Sequence, residues 1–254
     1  MSCPACFSGH VHEGQPKGRV ETIHGRPTYI AEPEEGKQPK GIIIIVPDVF
    51  GWEFVNTRIL ADHYSAGGDY LVYLIDFMDG WAAPVSTMES MPLLMKNDSI
   101  WDWVWKPYYA AQGLSSFISV ATFNRYSVAW PRVHSFFEAV RKNEGAKLGI
   151  GAAGFCWGGR YVVNLTHEES FVDGVPLVDA SFTGHPGLIK IPGDLEKIRK
   201  PVSLAIGDND YLLSVHQIEG VKEIFGNNPS VPTEVTAEEQ ALEWFSRHLS
   251  AVKY

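Results

Sequence analysis

Cysteine is scarce: three residues in 254, Cys3, Cys6 and Cys156. An odd handful does not build a disulfide framework, so the fold must rest on buried apolar surface, and a reducing compartment suits it. No apolar run approaches the roughly 18 residues that a membrane-spanning helix needs. Basic charge is in deficit, with 21 Lys+Arg against 30 Asp+Glu and a formal net charge of −9. That balance argues against nucleic acid or an anionic membrane as partner, since both select basic faces. The polar N-terminus lacks the apolar core of a signal peptide, so a cytoplasmic location is expected. Repeats, low-complexity tracts and linker-like stretches are also absent. One domain spanning 1–254 is the expectation, with residues 1–18 as an irregular arm.

What is present reads as an α/β pattern. Arg19–His24 and Pro27–Ala31 alternate well enough for a β-hairpin turning near Gly25-Arg26. Ile42-Ile43-Ile44-Ile45-Val46 is apolar without alternation, as in a parallel strand buried on both faces. A helical spacing over Val55–Ala66, stopped by Gly67-Gly68, leads to a second buried strand, Tyr70–Ile75. Trp130–Lys142 is amphipathic with Pro131 in its first turn; Pro201–Ile206 is a further short buried strand; Ser214–Phe225 and Ala237–Leu249 read as helices. Between them, about 77–126, lies a stretch crowded with Met and aromatic residues, including Trp101, Trp103 and Trp105. It suits a cap-like insertion walling an apolar pocket, or two extra helices with ordinary core aromatics.

The chain is organised around Gly154-Phe155-Cys156-Trp157-Gly158-Gly159. Small apolar residues before it, Leu148–Ala153, read as a buried strand, and Arg160–Leu165 after it suits a helix. A Gly-x-Cys-x-Gly turn between strand and helix is a nucleophile elbow with cysteine in place of the commoner serine. The alternative is a buried structural cysteine in a glycine-rich turn.

The elbow, the segment Pro47-Asp48-Val49-Phe50-Gly51 and the segment Gly207-Asp208-Asn209-Asp210 resemble the dienelactone hydrolase family of α/β-hydrolases; the opening Ser2-Cys3-Pro4-Ala5-Cys6 and Gly9–Gly14 resemble its fungal branch. The resemblance implies an α/β-hydrolase fold, a mostly parallel sheet with helices on both faces. It implies Cys156 as nucleophile, Asp210 as the acid that orients a histidine, and the N–H groups of Trp157 and Val49 as oxyanion donors. Asp48 matches a position where the family carries an acid near the nucleophile. Asp48 could also be a turn aspartate capping local backbone, and the Asp210 segment a simple turn.

One family element is missing. The family places a last strand and a histidine loop, Gly-x-x-His-Gly-Phe, after the helix that follows the acid. Here Gly226-Asn227-Asn228-Pro229 follows Phe225 at once, as though strand and histidine were cut out at the Phe225–Gly226 seam. Two explanations stand open: this chain omits residues the protein has, or the protein lacks them. Of nine histidines, His63, His134, His167, His216 and His248 fall on or beside helices, where a structural role is the default. His185 differs, because Ser181–Pro186 leaves the sheet at the elbow's edge, where open α/β sheets place ligands. It is a candidate pocket residue or base.

The expected activity is opening of a lactone or small ester through a cysteine acyl-enzyme, without metal or organic cofactor. A non-hydrolytic cyclisation, rearrangement or elimination of a polyketide-like metabolite is the alternative, and a non-catalytic small-molecule binder a third. Cys3, Cys6, His10 and His12 have the residue types of a zinc site but no second clear ligand pair, so no metal is expected there. The expected partner is a small-molecule substrate, and the expected state a monomer or homodimer.

Overall fold

A computed structural model of the chain describes residues 14–206, 213–227, 231–236 and 241–249. The first hairpin is β1 (Arg19–Ile23) and β2 (Arg26–Ala31), turned at His24 and Gly25 with φ of 47° and 80°. Two positive φ values make the turn whose twist matches paired strands. The isoleucine run is β3 (Ile42–Val46), buried at every residue, and is followed by α1 (Val55–Gly68) and β4 (Leu71–Ile75). The expected stop at Gly67-Gly68 lies inside α1; the helix ends at Asp69, which takes the left-handed conformation.

The stretch crowded with Met and aromatic residues folds as α2 (Ser86–Met95) and α3 (Ile100–Phe123). Its start signal was in the sequence: Ser99 accepts from the Asp102 N–H while Asp102 accepts from Ser99, a capping box with Asp in the Glu position. Next come α4 (Tyr126–Lys142), β5 (Ile150–Phe155), the elbow helix α5 (Gly159–Asn164) and a two-stranded ribbon, β6 (Phe171–Val172) with β7 (Val175–Pro176). The chain closes with β8 (Ala180–Gly184), β9 (Val202–Ala205), α6 (Val215–Gly226), β10 (Thr233–Thr236) and α7 (Ala241–Leu249). Pro131 lies well inside α4, because the helix begins four residues earlier than the amphipathic pattern implied.

The main sheet has the order β1-β2-β4-β3-β5-β8-β9-β10, antiparallel at β1 and β2 and parallel from β4 onward. One face packs on α4 and α5 through Val133, Phe136, Phe137, Tyr161 and Val162; the other packs on α1 and α7 through Ala61, Tyr64, Trp244 and Phe245. The expected α/β-hydrolase fold is therefore present. A buried ion pair anchors the start of β5: Arg141 Nη2 lies 2.7 Å from Asp179 Oδ2, and that oxygen also accepts from the Ile150 N–H at 2.8 Å.

One expectation is overturned. The last strand is not missing: Thr233–Thr236 pairs parallel with β9 in the register Thr233↔Val202 to Thr236↔Ala205. Val231, Thr233 and Val235 alternate with Pro232 and Glu234, a strand period hidden in what reads as a polar tail. The histidine is still absent, since Ala237-Glu238-Glu239-Gln240 stands between β10 and α7.

Candidate active site

Cys156 has φ +48°, the left-handed region that a β-carbon disfavours. A cysteine does not go there unless its surroundings hold it, and two glycines show how they do. A β-carbon on Gly158 would lie 2.1 Å from the Val46 carbonyl oxygen and 2.8 Å from that of Pro47. A β-carbon on Gly159 would lie 2.6 Å from both the Pro186 Cα and the Thr183 Oγ1. The turn is thus pressed between the end of β3 and the loop after β8, closer than any side chain permits. The residues Cys156–Gly158 form a 3-10 turn that runs directly into α5.

Sheet register brings the other candidates to the same edge. Val46 pairs with Gly154, so Asp48 leaves β3 two residues past the pair, as Cys156 leaves β5. Phe155 pairs with Gly184, so Cys156 and His185 are the next residues of adjacent parallel strands. The His185 N–H donates to the Ala205 carbonyl at 2.8 Å, and the Gly187 N–H donates to the Cys156 carbonyl at 2.8 Å. His185 itself is half-buried, with φ +33°. Gly187 had no signal in the sequence beyond being a glycine near His185. Asp210, with the whole segment Gly207–Asp210, lies outside the described residues, as do Cys3, Cys6, His10 and His12.

Asp48 is bound into its own turn. Its Oδ1 accepts from the Phe50 N–H at 2.8 Å and its carbonyl from the Gly51 N–H at 3.1 Å. Burial pushes its carboxyl pKa up to about 6, and the hydrogen bonds from Phe50 and Gly51 oppose that only in part. The folded chain therefore holds this proton more tightly than the unfolded chain does. The stability it contributes is full below pH 3.8 and is lost as pH rises through about 6. Asp48→Asn keeps an oxygen for the Phe50 N–H and removes the charge. It should unfold at a higher temperature than the native chain at pH 7.5 and at the same temperature at pH 3.5. Equal midpoints at both pH values would show that the carboxyl ionises at no cost.

Val49, beside it, gives its carbonyl to the Ala83 N–H at 2.7 Å, tying the β3 loop to the chain after β4. Trp157 is buried against Tyr161, with ring centroids 4.5 Å apart. Between the β3 loop and the α2–α3 hairpin runs a crevice lined by Val49, Ala83, Thr87, Ser116, Phe117 and Val120. Phe50, Phe54, Ala83, Met88 and Val120 pack the base of the hairpin onto that loop, at the C-terminal side of the strands. Trp101, Trp103 and Trp105 are not among the residues that line this crevice, and all three stand exposed.

Two of the other described histidines have structural partners. The buried His167 ring meets the Asp194 carbonyl at 2.7 Å, with its pKa lowered by burial, and His24 pairs with Glu144 at 2.9 Å. Among the described residues, no cluster of three or more His, Cys, Asp or Glu could hold a metal ion, and no helix is long and apolar enough to cross a membrane.

The model of the dienelactone hydrolase family matches residues 27–238, most of the chain and all of the site geometry above. The chain belongs to the dienelactone hydrolase family. Among similar proteins is the hydrolase pyvD of Aspergillus violaceofuscus, 28% identical over 207 residues, covering 82% of this chain and 70% of that one. Another is the human carboxymethylenebutenolidase homolog, 26% identical over 222 residues, covering 85% and 74%. Among solved structures, the dienelactone hydrolase of Anabaena variabilis superposes with a TM-score of 0.59 at 14% identity, covering 94% of this chain and all of that one. A putative dienelactone hydrolase of Klebsiella pneumoniae also gives 0.59, at 17% identity, covering 88% and 85%. These two likenesses speak for the fold; family and relatives alike are hydrolases.

Proposed function

We propose that this hydrolase-family protein opens a lactone or small ester by attack of the Cys156 sulfur on the carbonyl carbon. The carbonyl oxygen, taking up negative charge, is held by the N–H groups of Trp157 and Val49, which flank the nucleophile from its own turn and from the adjacent strand end. His185, on the neighbouring strand end, takes the thiol proton and returns it to the departing oxygen, and Asp210 is its orienting acid. Water then cleaves the thioester. A lactone stays attached through its acyl end until that step, so one ring-opened hydroxy acid leaves.

The single observation that carries this reading is the left-handed conformation of Cys156 at the end of β5. Backbone strain of this kind persists where the surrounding structure enforces it, and it commonly marks a site. The test is mass spectrometry after mixing the protein with a p-nitrophenyl ester. An acyl adduct on the Cys156 peptide that forms and decays with p-nitrophenol release is the expected result. Turnover with acylation elsewhere would end the proposal.

A second reading has one observation in its favour. The residues after β10, Ala237-Glu238-Glu239-Gln240, contain no histidine where the family carries its base. A site without that imidazole suits a non-hydrolytic cyclisation, rearrangement or elimination. A Cys156 adduct that accumulates and is never hydrolysed would favour it.

A further inference from the structure

The helix α3 is apolar on the wrong side. Gly113, Ser116 and Val120 turn inward and are buried, while the outward face, half a turn away, carries Ile100, Val104, Pro107, Ala111, Leu114 and Ile118, all exposed. Their spacing alternates four and three residues without a break. That is the heptad seam by which one helix packs along another, not the broader stripe that faces a domain core. Trp101, Trp103 and Tyr108 flank it, each more than half exposed. Among the described residues α3 packs most extensively on α2, through Thr87 with Ser116 and Ser90 with Gln112, on the inner side. Among the described residues, the seam stands exposed along its whole length.

We infer that α3 is the interface of a two-fold homodimer in which the helices of two copies pair antiparallel. A two-fold interface must be self-complementary, residue i meeting j while j meets i. The seam meets this condition when the axis passes near residue 109. Ile100 then faces Ile118 of the copy, Val104 faces Leu114, and Pro107 faces Ala111. Bulk meets bulk at both ends, and the small pair at the centre lets the helices approach. Asp102 and Lys106 are the only charged residues in the helix, so the copies meet without like-charge repulsion. Asp102 is engaged in the capping box, and the Lys106 amine donates to Asn97 at 2.5 Å and lies over the Trp103 ring.

The area is of the right size. An aromatic side chain carries roughly 150–250 Å², so the three flanking aromatics leave on the order of 400 Å² in water, already the largest patch usual for a monomer. Adding Ile100, Val104, Leu114 and Ile118, again each more than half exposed, approaches the scale of about 800 Å² per partner in a standard interface. A lipid surface fits less well. Interfacial helices set their apolar face against a polar face rich in Lys and Arg, and α3 has Lys106 alone on a chain of net charge −9.

Light scattering coupled to size-exclusion chromatography tests the pairing on the full chain at tens of micromolar, with circular dichroism to check folding. The native chain should elute at twice the chain mass, and Val104→Glu or Leu114→Lys alone at the single mass. Both changes in one chain place each Glu against the copy's Lys, so the double variant should recover the dimer at low salt and lose it at high salt. A monomeric native chain overturns the inference, and a monomer that sediments with phosphatidylcholine vesicles assigns the face to lipid instead. A dimer indifferent to Val104→Glu also overturns it. A double variant that stays monomeric at low salt would refute the antiparallel register.

Discussion

Cys156→Ala is expected to lower aryl-ester turnover by at least about a thousand-fold, the scale on which removing a covalent nucleophile acts in enzymes of this chemistry. Folding should be untouched. Alanine keeps a β-carbon and so meets the same backbone strain at φ +48°, and the lost sulfur is at a half-buried position. Cys156→Ser sharpens the result. A hydroxyl depends more heavily on a base than a thiol does, which is intrinsically the better nucleophile. If His185 takes the proton effectively, the serine variant should keep measurable turnover that is lost on adding His185→Ala. If no base serves the site, the serine variant should be as inactive as the alanine variant. Undiminished turnover in Cys156→Ala would remove the residue as nucleophile outright.

Gly158→Ala should be the most damaging single methyl in the described chain. The added carbon would meet the Val46 carbonyl oxygen at 2.1 Å and the Pro47 carbonyl oxygen at 2.8 Å. Both are backbone atoms of a strand end, so no rotamer change relieves the clash; β3 and the elbow must separate. Overpacking of this kind costs about 3 kcal/mol or more. It also pulls Val49 away from Trp157, so ester turnover should fall further than the folded fraction does. Gly193→Ala is the control, since nothing lies within 4 Å of its added carbon, and it should shift stability by less than about 0.5 kcal/mol. Chemical denaturation of both variants decides the matter. Equal midpoints would show that the elbow is not wedged against β3.

The buried strands were legible because local sequence carries their signal. Four isoleucines followed by valine can hardly be anything but a doubly covered strand, and β3 is buried throughout. The elbow was legible for a similar reason, being a pattern of small residues that only a tight strand-to-helix turn requires. The insertion was not. In α3 the outward face is as apolar as a core face, so periodicity pointed two ways at once, and only the capping box at Ser99 marked a boundary. The last strand, β10, was missed because four residues of alternating Thr, Glu and Val have no signal strong enough to stand out from a polar tail. Its place is set by the open edge of β9, whose unpaired backbone groups accept a partner of modest propensity.

By itself, then, the sequence determined the fold class, the family, and the identity of the sulfur at the head of the elbow, because each depends on residues adjacent in the chain. Tertiary structure decided which distant residues share the site. Cys156 and His185 are neighbours only because Phe155 pairs with Gly184, and Asp48 joins them only because Val46 pairs with Gly154. Strand register is set by packing over the whole sheet, and a one-residue slip would turn every side chain to the other face. No local pattern of residues encodes that choice.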